Sequence, residues 1–138
     1  MIKLASVREV KQLSGFEIWY IVRSPKNLRF DENHKHVPEL SPASQLFYSY
    51  LNAAKMGDWN AEWFAEHYVP NFLRQMKSDA AQEKLSELVV RSQSEDIALV
   101  CFCSDESLCH RSIVGGILYN MGAYCDPAIE AAYSKYKI

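Results

Sequence analysis

The segment Cys103–Ser112, which reads CSDESLCHRS, brings together thiol, imidazole, guanidinium and hydroxyl groups. A helix is predicted to begin at Cys109 or His110, and a helix N-terminus presents unpaired N–H groups and a partial positive charge. Arg111 adds a fixed charge that can form paired hydrogen bonds, and Ser112 adds a hydroxyl. Together these groups favour binding of a phosphate or carboxylate.

A structural interpretation of the same residues stays open. Arg111 could pair with Asp105 or Glu106, and Ser112 could simply cap the helix. Such an ion pair would not remove its members from a pocket. Asp105 therefore stands with Arg111 and Ser112 among the ligand-binding candidates.

Cys109 and His110 are the catalytic candidates. A thiol at a helix start beside His110 and Arg111 is predicted to have a lowered pKa and to be nucleophilic. Histidine titrates near neutral pH, which suits a general acid or base. The alternative is that Cys109 packs as a small apolar residue. A tyrosine-phosphatase loop is not supported, because neither Cys103 nor Cys109 has the phosphatase spacing to Arg111.

A zinc site is a weaker hypothesis for the cysteine cluster. Cys103, Cys109 and His110 could supply three ligands, with His34 or His36 as the fourth. Zinc sites usually show closer cysteine pairs, and Cys101 lies in an apolar strand, although it would point the same way as Cys103. We therefore assign no metal and no cofactor from the sequence.

Arg23 and Ser24 follow a second apolar segment, Phe16–Val22. In sheets of parallel strands, ligands bind beyond the carboxyl ends of the strands. If this strand lies beside the one that precedes Cys103, both polar endings meet in one pocket. The leading hypothesis is a pocket for a small anionic ligand, in which Arg23 and Arg111 hold the anion. Whether the protein is an enzyme stays open.

The elements that would position these residues alternate between strand and helix. Apolar runs predict strands at 2–6, 16–22 and 97–102, and the last run is apolar throughout, as in a sheet covered on both faces. The polar stretch 26–42 is predicted to be a long loop. We expect an α/β fold, a small single domain over residues 1–138 with a short, mostly parallel sheet flanked by helices.

Apolar periodicity predicts four main helices. They run from about 44 to 56, from 58 past a break at Pro70, from 79 to 92 and from 109 or 110 to 121. Ser41 or Ser44, Asp58, and Ser78 or Asp79 are the expected caps. The aromatic residues of the second helix have the spacing of a core face, although some could line the pocket wall: Trp59, Trp63, Phe64 and Tyr68.

Composition narrows the function classes. The chain has 138 residues, 49% of them hydrophobic, and a formal net charge of -2, so no overall field attracts nucleic acid. No signal peptide or membrane span is expected, and the four cysteines suit free thiols in a cytoplasmic protein.

Two alternatives to ligand binding are kept. A nucleic-acid binding or processing module would use the basic residues of the N-terminal quarter: Lys3, Arg8, Lys11, Arg23, Lys26, Arg29 and Lys35. A non-enzymatic interaction domain would use the cysteine cluster only for structure. Substrate, reaction and oligomeric state stay open.

The run 98–118, ALVCFCSDESLCHRSIVGGIL, resembles the closing motif of the domain of unknown function 488 (DUF488) family. WYIVRSP, LSPASQL and FAEHYVPNFL resemble further family segments, although Ile21 stands where the family usually has Asp. The resemblance implies a compact α/β domain, with a link to nucleotide or nucleic-acid metabolism as an alternative. It implies these pocket residues: Arg23, Cys109, His110, Arg111 and Ser112.

Overall fold

Strand β4, Ile97–Cys101, is buried along its whole length and lies inside the sheet. The computed structural model describes all residues 1–138. Its four strands are parallel in the order β1-β4-β2-β3, with β1 at Ile2–Ser6, β2 at Glu17–Tyr20 and β3 at His34–His36. β4 pairs with β1 on one side and β2 on the other, which explains its uninterrupted apolar sequence. The predicted α/β fold with a short parallel sheet is confirmed.

The predicted loop over residues 26–42 was wrong in part. It contains β3 and a 3₁₀ turn, Pro38–Leu40. β3 reads HKH, is half-buried and pairs only with β2, so it lacks the apolar pattern that identifies inner strands. Its strand character comes from backbone pairing with Ile18, Trp19 and Tyr20, which a local pattern does not show.

The helices lie where they were predicted, but several of their ends differ from the predicted ones. Helix α1 covers Ser44–Lys55, and a divided segment follows as α2 Ala61–Trp63, a π-helical turn Phe64–Tyr68 and α3 Val69–Gln75. Pro70 lacks an N–H and lies in the first turn of α3, so it divides the helix as expected.

Two of the predicted caps were wrong. Ala43 precedes α1 with no side-chain cap, and Asn60, rather than Asp58, caps α2 by accepting a hydrogen bond from the Trp63 N–H. Trp59 consequently lies in the loop before α2 and not on a helix.

The second half of the chain adds α4 Asp79–Arg91, a 3₁₀ turn Glu106–Leu108, α5 His110–Asn120 and α6 Pro127–Tyr133. Ser78 caps α4 as predicted, and Gly122, with φ of 98°, follows α5 in the left-handed conformation that suits glycine. α5 packs against α3, α6 and β1 and is buried from His110 to Leu118. This packing holds the start of α5 against the carboxyl end of β4.

Gly116 is expected to be the less replaceable of the two adjacent glycines in α5. A Cβ at Gly116 would meet the Tyr133 carbonyl oxygen and lie 2.8 Å from Tyr136 Cβ, whereas at Gly115 the nearest atom, Leu4 Cδ1, would lie at 3.0 Å. Gly116→Ala should lower the free energy of unfolding by about 2–3 kcal/mol, because backbone must move. For Gly115→Ala, flexible Leu4 and a gain of about 1 kcal/mol in helix propensity should leave the change below about 1 kcal/mol. Urea denaturation of both variants checks the order, and equal losses would contradict it.

Candidate functional site

A cavity of about 730 Å³ opens where β2 and β4 end. The two strands are parallel neighbours, with Tyr20 opposite Val100, so the segments that follow them meet at one edge of the sheet. The predicted meeting of the two polar strand endings is therefore confirmed. The cavity also receives residues from α1, from the loop before α2 and from the π-helical turn; in total it is lined by Val22, Arg23, Ser24, Lys26, Asn27, Pro42, Phe47, Tyr50, Leu51, Trp59, Tyr68, Cys101, Phe102, Cys103, Ser104, Leu108, Cys109 and His110.

Three thiols form the floor of this cavity. The Sγ atoms of Cys101, Cys103 and Cys109 all lie within 4.8 Å of one another, and Cys101 Sγ is 2.9 Å from Cys109 Sγ. Cys101 ends β4, Cys103 lies in the following loop, and Cys109 immediately precedes α5. All are free cysteines; Cys101 and Cys109 are buried and Cys103 is half-buried.

Arg111 lies behind the floor and holds it in place. Its Nη1 donates to Cys101 Sγ at 2.9 Å and to the Cys103 carbonyl oxygen at 2.9 Å. Its Nε is 3.7 Å from Glu106 Oε1, and Glu106 Oε2 accepts a hydrogen bond of 2.7 Å from the Tyr133 hydroxyl. The arginine side chain is only 3% exposed, so its charge is directed at the thiols rather than at solvent.

The three thiols do not ionise alike. Hydrogen bonds from Cys103 and Cys109, together with the positive charge of Arg111, hold the pKa of Cys101 well below its usual range. The same hydrogen bond to Cys101 raises the pKa of Cys103 to about 11. Burial raises the pKa of Cys109, as do its two thiol neighbours, which is opposite to the direction predicted from its place at a helix start. Of the three thiols, Cys101 is therefore the one whose pKa is lowered.

His110 is held in one orientation at the cavity floor beside Cys109. Its Nε2 lies 2.6 Å from the Ile21 carbonyl oxygen, and because a carbonyl only accepts, Nε2 carries the proton. Its Nδ1 faces Cys109 Sγ at 3.6 Å, and its ring lies against Phe72 with 5.6 Å between centroids. The contact with Ile21 also ties the start of α5 to the end of β2.

The rim of the cavity is cationic. Arg23, Ser24, Lys26 and Asn27 come from the segment that follows β2, and Asn27 takes a left-handed φ of 67° there. Arg23 Nη2 donates to Ser44 Oγ at 2.8 Å, and its guanidinium lies 4.6 Å from the ring centroid of Phe47. The hydroxyl of Ser24 accepts a hydrogen bond from the Lys26 N–H at 3.2 Å.

An aromatic wall faces the rim. Tyr50 and Trp59 meet edge to face with 4.4 Å between ring centroids, and Trp59 meets Tyr68 in the same way at 5.9 Å. Tyr68 belongs to the π-helical turn, a local distortion that occurs frequently at functional sites. Leu51 and Phe102 also line the cavity and stay exposed at 42% and 54%.

The sequence model of the DUF488-N3a family, described as the active DUF488-N3 subclade, matches residues 2–122. The chain belongs to the DUF488 family. The resemblance found in the run 98–118 and in three earlier segments is thereby confirmed over most of the chain. No curated protein and no solved structure matches it. No helix of this DUF488 protein is long and apolar enough to cross a membrane.

The DUF488 site divides the sequence-predicted residues into two groups. Arg23, Ser24, Cys109 and His110 line the cavity, whereas Asp105, Arg111 and Ser112 do not. Asp105 Oδ1 accepts hydrogen bonds from the Ser107 N–H and hydroxyl, at 3.0 and 2.6 Å, and caps the 3₁₀ turn. Ser112 is buried, and its hydroxyl donates to the Cys109 carbonyl oxygen at 2.8 Å.

Sequence reasoning did not name Cys101 or Lys26 as residues of the DUF488 site, and it named Trp59 only among aromatic residues that could line the pocket wall. Cys101 was assigned to an apolar strand, although its spacing of two from Cys103 already placed the two thiols on one side. Lys26 lies near Arg23 in the sequence, but it belongs to no motif that indicates a binding site. Trp59 was placed on a core-facing helix, and its half-buried position in the cavity depends on how that loop folds back.

Arg111 and Arg23 are expected to differ sharply in their effect on stability. Arg111→Met would leave the Cys103 carbonyl and the Glu106 carboxylate without their cationic partner and should cost about 2–4 kcal/mol of unfolding free energy. Arg23→Met should cost less than about 1 kcal/mol, because its partner hydroxyl stays exposed to water. Urea denaturation of the two matched variants measures this difference. Similar losses would contradict the assignment of Arg111 to the protein interior.

Proposed function

We propose that this protein binds a small ligand with an anionic group and a flat apolar body, and that groups on the cavity floor act on it. The observation that carries this proposal is the composition of one cavity: a cationic rim, an aromatic wall and a floor of thiols and imidazole. Its volume of about 730 Å³ lies within the range of about 300–1,000 Å³ of small-ligand sites.

The cationic rim supports the anionic part of the proposal. Arg23 and Lys26 form no ion pair, whereas Arg29, Lys35, Lys84, Arg91 and Arg111 each lie within 4.0 Å of a carboxylate oxygen. Arg23 makes a hydrogen bond only to a neutral hydroxyl. A phosphate or carboxylate at the rim would therefore find two uncompensated charges and the Ser24 hydroxyl. With Arg111 behind the floor, we assign the anion to Arg23 and Lys26.

The aromatic wall supports the apolar part. Tyr50 and Trp59 are half-buried, and exposed Leu51 and Phe102 extend the apolar surface toward the mouth. A flat ring that covers these side chains would remove them from water, which is favourable. The aromatic residues thus orient a ligand whose anionic end lies on the rim.

The floor supplies the groups for chemistry. Cys109 and His110 are the catalytic candidates from the sequence, and the structure adds Cys101 and Cys103 beside them. The Nδ1 of His110 faces Cys109 Sγ at 3.6 Å, within reach for a proton transfer between the two side chains. The family description as an active subclade also supports enzymatic action.

A thermal-shift measurement tests the proposal with probes that combine ring and anion. Nucleoside 5′-monophosphates and inorganic phosphate are added separately to the wild-type protein. A probe at a hundredfold excess over its dissociation constant should stabilise the fold by about 2.7 kcal/mol and raise the Tm by roughly 5–10 °C. The monophosphates should bind more tightly than phosphate alone, because only they contact the aromatic wall.

Matched variants locate the binding. Arg23→Ala and Lys26→Ala should each reduce the rise in Tm. Trp59→Ala should reduce the rise in Tm that the monophosphates cause to nearly the rise that phosphate alone causes. Arg29→Ala is the control, since Arg29 is exposed, lies outside the cavity and pairs with Asp31 at 3.3 Å. A panel without any shift, or a shift that Arg23→Ala and Lys26→Ala leave intact, would argue against the anion-binding cavity.

The two alternatives have less support. Of the seven basic residues that a nucleic-acid module would use, Lys35 pairs with Glu17 and Glu87, and Arg29 pairs with Asp31. Arg23 and Lys26 lie at the cavity, which leaves Lys3, Arg8 and Lys11 for such a face. An interaction domain needs no cavity with reactive groups on its floor. The four free cysteines suit a reducing compartment, and we propose a cytoplasmic location on that ground.

A further inference from the structure

Cys101, Cys103 and Cys109 form a thiol cluster that ligand binding at the rim does not require. We propose that this cluster binds one zinc ion through three sulfur ligands, with a fourth coordination position that opens into the cavity. The binding of zinc goes beyond the proposed function and does not rest on it, because none of the three ligands contributes to the cationic rim. Only the action of the ion on a bound ligand rests on the proposed function.

The spacing of the sulfur atoms fits this ion. Zinc binds cysteine sulfur at about 2.3 Å in tetrahedral geometry, which separates the sulfur atoms by about 3.8 Å. The three Sγ atoms lie within 4.8 Å of one another, and the Cys101–Cys109 pair, at 2.9 Å, would have to move apart to reach this separation. Small side-chain rotations would bring the pairs to equal distances.

The three ligands are fixed to three different backbone elements. Cys101 ends β4, Cys103 lies in the loop, and Cys109 precedes α5, so the sheet, the loop and the helix together set their positions. Cys101 and Cys109 are buried in the core, and the Cys103 carbonyl is held by Arg111. The cluster is therefore assembled before an ion enters, as a specific metal site requires.

Arg111 has the place of an outer-shell partner. Ligands of protein-bound metals are commonly oriented by a second layer of hydrogen bonds. Arg111 Nη1 donates to Cys101 Sγ at 2.9 Å and is itself held through Glu106 and Tyr133. Three thiolates around a divalent ion leave one net negative charge, and the guanidinium balances it in this buried setting.

The fourth position distinguishes a reactive site from a purely structural one. Structural zinc sites are closed by four protein ligands, whereas catalytic sites have three and admit water or substrate. All three cysteines line the cavity, so an ion between them would face the bound ligand. Zinc there would act as a Lewis acid on the ligand that the rim and wall position.

Cobalt substitution tests the site on the full-length wild-type protein under reducing conditions. Co²⁺ should bind with one equivalent per chain and give thiolate-to-metal charge transfer with intense tetrahedral d–d bands, and Zn²⁺ should displace it. Cys103→Ser should weaken binding about a hundredfold or more, since even outer-shell changes cost about 10–100-fold. Cys103 is half-buried, which makes this variant the least disruptive of the three.

Two controls separate the outcomes. Cys125→Ser removes the one cysteine outside the cluster and should leave cobalt binding unchanged, and Arg23→Ala should also leave it unchanged, which separates this proposal from anion binding at the rim. In the wild type, Zn²⁺ should protect Cys103, the half-buried member of the cluster, but not the half-buried Cys125, from iodoacetamide as measured by peptide mass spectrometry. Absence of stoichiometric cobalt binding, or equal alkylation with and without Zn²⁺, would overturn the proposal.

Discussion

The hydrogen bonds of Arg111 are the constraint on which the site depends. One nitrogen, Nη1, joins the side chain of the last β4 residue, Cys101, to the backbone of the loop at Cys103, while Arg111 itself belongs to the first turn of α5. Burying a guanidinium costs several kcal/mol unless partners compensate it, so strand, loop and helix can adopt only arrangements that keep these contacts. The cavity floor is a consequence of this arrangement.

The two arginines singled out by sequence serve different ends. Arg111 is turned inward, where it donates a hydrogen bond to Cys101 Sγ and, after the hydrogen bonds from Cys103 and Cys109, contributes to the lowered pKa of the Cys101 thiol. Arg23 is turned toward the cavity mouth, stacked near Phe47 and without a carboxylate partner. A buried cation thus organises the thiol cluster, while Arg23 stays without a carboxylate partner at the cavity mouth, where we propose that it holds the anionic end of a ligand. The two arginines thus differ in role because Arg111 is buried and Arg23 is not.

The wall of the cavity shows how a local irregularity contributes to the site. Pro70 cannot continue the helical hydrogen bonding of the preceding residues, and the chain takes a π-helical turn at Phe64–Tyr68 before α3 begins. This turn carries Tyr68, which meets Trp59 in the cavity and stacks on Phe72 at 6.1 Å. Phe72 in turn contacts His110, so the aromatic wall and the floor share one packed core.

The sequence by itself determined β4, the loop from Cys103 and the start of α5, because an apolar run, a polar stretch and helical periodicity are local signals. It also predicted that Arg23 and Ser24 would meet this loop, since the carboxyl ends of parallel neighbours share an edge. Only the tertiary structure decided that the free thiol of Cys101 lies beside that of Cys109, that Arg111 faces inward, and that the half-buried HKH segment is a strand. Each of these depends on side-chain contacts across a loop, between residues 8 or 10 positions apart, or on backbone pairing with another strand, and neither leaves a period in the sequence.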